Sequence, residues 1–125
     1  MKKITPFLLV LVTHFACQQP PDRNCTQFKT GNFSFTTIID GKETTTHFER
    51  TDAIEVDYYQ GRQDSSSVKW VNDCEYVLKR ISPKNRAEEK PILIKILTTT
   101  DSSYTFEFGT VGDSKRLRGT AFKTN

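Results

Sequence analysis

The sequence predicts an all-β fold, a small antiparallel up-and-down barrel or a sandwich of seven to eight short strands. Three observations carry this. Apolar and polar residues alternate with a period of two in one short segment after another, the pattern of strands with a single buried face. Turn-forming residues such as Asp40-Gly41, Asn72-Asp73 and Asp101-Ser102-Ser103 separate those segments at regular spacing. Helical composition occurs in one place only, residues 82–90, between Pro83 and Pro91. Consecutive hairpins favour the up-and-down barrel.

The first strand is predicted over residues 28–39, with Phe33, Phe35, Thr37 and Ile39 on one parity and a bulge or bend at Gly31. Asp40-Gly41 is a two-residue hairpin signal. The return strand, residues 42–51, turns Thr44, Thr46 and Phe48 inward and His47 outward. Residues 53–60 form a third strand in which Ile54, Val56 and Tyr58 face the core against Glu55 and Asp57. A polar turn over residues 61–66 leads to the strongest signal in the chain, residues 67–81. There Val68, Trp70, Cys74, Tyr76 and Leu78 share one parity, and Asn72-Asp73 marks either a tight turn or a bulge. After the connection at 82–90, with room for a single helical turn, residues 92–97 form a β-branched strand with Lys95 outward. Tyr104, Phe106 and Phe108 alternate through the next strand, and Leu117, Gly119 and Ala121 through the last.

The 125 residues divide into a signal segment at 1–16, a lipidated N-terminus and tether at 17–24, and one β domain at 25–125. Lys2-Lys3, an apolar run and Ala16-Cys17 follow the order of an export signal. The run is shorter than the ~20 residues a permanent membrane helix needs. A cysteine just after the cut is the acylation site of a bacterial lipoprotein, so Cys17 is expected to carry the lipid and to place the protein in the cell envelope, on the periplasmic or surface face of a membrane. Cys25 and Cys74 remain as an even pair in a compartment where disulfides persist, and a bridge is favoured over two buried thiols. Lys2 and Lys3 leave with the signal, so 16 basic residues face 15 acidic ones. That balance gives no footing for nucleic-acid binding. The local run Glu49, Asp52, Glu55, Asp57 reads as a solvated strand face, as does Lys115, Arg116, Arg118, Lys123.

Catalytic and metal chemistry find little support. Two cysteines and one mature-chain histidine lack the clustered spacing of a metal site, and no cofactor motif appears. His47, sharing a face with Thr45 and Glu49, is a remote general-base candidate, and an exposed surface histidine is the better reading. Glu88-Glu89 beside Arg86 and Lys90 reads as a charge run, and Ser65-Ser66-Ser67 lacks the glycines of a nucleophile elbow. Asn24-Cys25-Thr26 and Asn32-Phe33-Ser34 match a glycosylation pattern that a bacterial lipoprotein does not normally use. The notable feature is the aromatic lining expected inside the barrel: Phe33, Phe35, Phe48, Tyr58, Trp70, Tyr76, Ile94, Phe106 and Phe108. Such residues either fill the lumen or line a cup for one apolar ligand, and short strands favour filling.

The segments CTQFKTGNFSF, VKWVNDCEYVL, PKN with its charge run, IKILTT, YTFEF and VGDSK together resemble small flavobacterial lipoproteins of unassigned activity, over nearly the whole mature chain. Many of those carry the label "DNA topoisomerase IV", which conflicts with their chemistry. A topoisomerase needs a nucleophilic tyrosine, acidic metal ligands and a large basic saddle. The resemblance implies a lipoprotein and supplies no site residues. The expectation is a monomeric, membrane-anchored, non-enzymatic protein with a binding or structural role, whose partner is a small apolar ligand or another envelope protein.

Overall fold

A computed structural model describes residues 22–125, apart from the side chains of residues 38 and 39. The signal segment, Cys17 and most of the tether lie outside the described residues. Eight strands run in chain order and close into a barrel: β1 Gly31–Ile39, β2 Lys42–Arg50, β3 Ile54–Tyr59, β4 Arg62–Asn72, β5 Glu75–Arg80, β6 Ile92–Thr99, β7 Ser103–Thr110 and β8 Leu117–Lys123. Every neighbouring pair is antiparallel, and β1 meets β8 through Phe33–Lys123, Ser34–Phe122 and Phe35–Ala121. Closure leaves no sheet edge, so every strand has a ladder partner on both sides.

Two connections explain the strand boundaries. Asp40 and Gly41 have φ of 50° and 76°, and Gln60 and Gly61 have 46° and 74°. Positive φ at both central residues is the type I′ signature, whose twist matches that of the flanking strands. The second of these turns shortens the expected loop at 61–66 to two residues. Arg62 to Ser66 therefore belong to β4, and Ser66 is buried. The stretch at 67–81 proves to contain both a bulge, between Trp70 and Asn72, and a tight turn at Asp73-Cys74. The connection between β5 and β6 holds one helical turn, α1 Arg86–Glu89, whose Asn85 side chain accepts from Glu88 N.

The barrel has one closed end and one open end. Residues 26–28 form a short 3-10 turn rather than the start of β1, and Phe28 points into the lumen with no exposure. This segment is tied across the end by the Cys25–Cys74 disulfide, with Cα atoms 5.2 Å apart. Further ties run from Arg23 Nη1 to Ile96 O (2.8 Å) and from Lys123 Nζ to Gln27 O (2.8 Å). The turns at 51–53, 73–74 and 100–102 share this end. The hairpins at 40–41 and 60–61, the α1 connection and the loop at 111–116 ring the other. Phe28, Phe33, Tyr104, Ile96, Ala121 and Tyr76 pack the lower lumen, with Phe28 and Tyr104 ring centroids 5.1 Å apart. On β8, Gly119 makes room for the Phe106 ring, whose Cζ lies 2.9 Å from where a Cβ would stand.

Candidate functional site

The inward parity of β2 continues past Thr44, Thr46 and Phe48 to Arg50, which is 2% exposed. A guanidinium in the lumen needs a counter-charge and acceptors for its fixed donors. Glu55, the register partner of Arg50 on β3, supplies the first: Arg50 Nε donates to its Oε1 at 2.9 Å and Nη2 lies 2.8 Å from the same oxygen. Nη1 donates to Phe28 O at 2.8 Å, and Nη2 reaches the hydroxyls of Tyr76 at 2.7 Å and Tyr104 at 3.0 Å. The cation is also packed among ring faces, 4.4 Å from the Tyr76 centroid, 5.0 Å from Phe33 and 5.3 Å from Phe48. Burial works against its charge, but the Tyr76, Tyr104 and Glu55 oxygens outweigh that and hold its pKa above the ordinary value. Burial likewise raises both tyrosines, which stay neutral phenols.

This arrangement corrects the parity expected of β3. Arg50 pairs with Glu55 and Phe48 with Asp57, so the odd-numbered residues of β3 face the lumen and the even-numbered ones face out. Glu55 is 4% exposed and Asp57 half-buried, and neither belongs to a solvated face. Tyr58, expected in the lining, stands on the outer surface at 43% exposure, together with Ile54 at 41%. The physical reason is the buried charge on β2: an apolar residue opposite Arg50 would leave that cation uncompensated.

Above the Arg50 layer the lumen opens into a cup of about 140 Å³, walled by Phe35, Phe48, Leu78, Ile92, Ile94, Phe106 and Phe108, with Arg50, Glu55, Asp57, Tyr76 and Tyr104 at its polar floor and side. Of the nine residues expected to line the interior, six border this cup: Phe35, Phe48, Tyr76, Ile94, Phe106 and Phe108. Phe33 and Trp70 sit in the packed lower part, where Trp70 tilts against Tyr76 with centroids 4.5 Å apart and lies under the Lys29 ammonium at 5.2 Å. Asp57, Leu78 and Ile92 also border a second space of about 220 Å³ that leads outward past Ser66 and Arg80 to Ala87, Glu88 and Lys90. Arg80 there is held by Asp64 at 3.0 Å and Glu88 at 3.7 Å. Burial, with the Glu55 carboxyl adding to it, pushes the Asp57 carboxyl up to about 7, although Arg80 and Arg50 pull the other way.

His47 is exposed on the outer face of β2, opposite Tyr58. Among the described residues no group of three or more histidines, cysteines and acids could hold a metal ion. Sequence reading missed Arg50, Glu55 and Asp57. The signal for Arg50 was its place two residues beyond Phe48 on an inward parity. Fold and site define a small antiparallel barrel with a lumen plugged at one end and a two-chambered cup at the other. Compared with known proteins, the chain matches no family model, no curated protein and no solved structure.

Proposed function

We propose that this is an exported, lipid-anchored and non-enzymatic binding protein that holds one small amphiphile, with an apolar group in the inner chamber and a polar head in the outer one. The observation that carries the reading is the division of the lumen. Its lower half is filled by Phe28, Phe33 and the Arg50 cluster, while its upper half is a space of about 140 Å³ with apolar walls. An apolar cavity of ~150 Å³ accommodates one benzene-sized molecule, so the inner chamber suits a single ring or a short chain and not a full lipid. The donors of Arg50 are already directed at Glu55, Phe28 O and two phenols, so the floor is a fixed wall and not a free anion hook.

The test is titration with benzyl alcohol, followed by NMR at the methyls of Leu78, Ile92 and Ile94. Binding with a Kd on the order of 0.1–1 mM is expected from the ligand's size. Leu78→Trp, which fills the chamber, should abolish it while leaving the barrel folded. Unchanged methyl shifts in the wild type would refute the cup. The export and anchoring part is tested separately: Cys17→Ser should prevent incorporation of labelled fatty acid and release the protein from the membrane fraction.

A protein partner is the second reading. In its favour is a groove of about 520 Å³ on the outer surface, bordered by Ile54, Val56, Arg80, Ile81 and Lys84, in which Ile54 and Ile81 are exposed.

A further inference from the structure

We infer that the head of the bound amphiphile is a cation, an ammonium or amidinium group seated against Asp57 where the inner and outer chambers join. The inference rests on the cup described above and assigns its ligand class.

The carboxyls and cations around the cup do not balance. Glu55, Asp57, Asp64 and Glu88 stand against Arg50 and Arg80, with the exposed Lys90 at the rim. Arg50 is paired with Glu55, and Arg80 is shared between Asp64 and Glu88. Asp57 has no ion pair: among the described residues it receives no nitrogen donor, its side chain is hydrogen-bonded to the Glu55 carboxyl, and Glu55 Oε2 likewise receives no nitrogen donor. A half-buried carboxyl bordering both spaces, with no ion pair of its own, favours an incoming positive head and disfavours an anionic one.

The groups facing Asp57 come from every neighbouring element. Phe48 and Arg50 face it from β2, Glu55 from its own strand, and Asp64 and Ser66 from β4. Leu78 and Arg80 face it from β5, and Glu88 from α1. With no cation beside it, Asp57 keeps its proton up to about pH 7. An ammonium takes the place of that proton, so its binding below this pH releases the proton and becomes weaker as the solution is acidified.

Isothermal titration of the folded domain with benzylamine, benzyl alcohol and benzoate separates head from body, since all three carry one benzene ring. At pH 8, benzylamine is expected to bind at least tenfold more tightly than benzyl alcohol, and benzoate most weakly. Between pH 8 and pH 5.5 benzylamine should weaken about 30-fold, which is the cost of displacing a proton from a carboxyl of pKa about 7, while benzyl alcohol should hardly change. In Asp57→Asn the ratio of benzylamine to benzyl alcohol affinity should fall to about one and the pH dependence should vanish. Equal binding of amine and alcohol at pH 8, or tightest binding of benzoate, overturns the cationic head and leaves the cup standing. Failure of all three to bind overturns the cup and this inference with it.

Discussion

Replacing Arg50 by methionine should be among the most damaging single changes in the barrel. The substitution keeps much of the apolar stem but removes the partner of Glu55, whose side chain is 5% exposed. It also takes the donors from Phe28 O and from the hydroxyls of Tyr76 and Tyr104. Removing one member of a buried ion pair costs about 3–5 kcal/mol, because the other is left as an uncompensated buried charge. A domain of this size has a total stability of about 5–15 kcal/mol, so the variant sits near the edge of folding at 37 °C. Urea unfolding at pH 7 with the disulfide intact measures the loss. The double change Arg50→Met with Glu55→Gln removes both charges together and should recover most of it, giving a coupling energy of about 2–3 kcal/mol. A loss below about 1 kcal/mol for Arg50→Met, or a double variant as unstable as the sum of the singles, would refute the view that this pair compensates a buried charge.

Two further outcomes are expected. Because the folded protein raises Asp57 from 3.8 to about 7, the native state binds that proton more tightly than the unfolded chain. The resulting stability is full below pH 4 and is lost as the pH rises to 7. Relative to Asp57→Asn, the wild type should lose about 3 kcal/mol between pH 4.5 and 7.5, and a parallel pair of stability curves would contradict this. Removing the Cys25–Cys74 bridge by Cys25→Ala with Cys74→Ala opens a loop with a sequence separation of 49. The chain-entropy relation gives a loss of roughly 4 kcal/mol, to be read as a lower urea midpoint than that of the oxidised wild type; coincident midpoints would show that the staple adds nothing.

Much of the barrel was legible because period-two alternation is a local property. Thr46 and Phe48 on β2, Val68 on β4, Tyr76 on β5 and Phe106 on β7 all face inward as the pattern indicates. On β3 the same rule failed. Ile54, Val56 and Tyr58 alternate with Glu55 and Asp57, and the pattern alone turns the apolar set inward. The deciding quantity is register. With Arg50 opposite Glu55, an inward even-numbered residue on β2 meets an inward odd-numbered residue on β3, and a slip of one residue would exchange the faces. Nothing within residues 53–60 encodes that choice, which is imposed by the charge at position 50. The division of the lumen was equally hidden. Strand length suggested filling, and the lower half is filled, but partly by Phe28, which reaches the interior from a 3-10 turn and not from a strand. Among the described residues, none fills the open end as Phe28 fills the other.

Both ends of the described chain meet at the plugged end. Asn32 N donates to Asn125 O and Thr124 N to Asn32 O, while Arg23 and Asn24 are bonded to Ile96 and Thr99. The first described residues, 22–24, therefore lie on the side opposite the mouth. The anchor proposed at Cys17 would join the barrel five residues before that plugged end and leave the mouth free of the point of attachment. A mouth and an attachment point at opposite ends would let a solute enter the cup without passing the anchor.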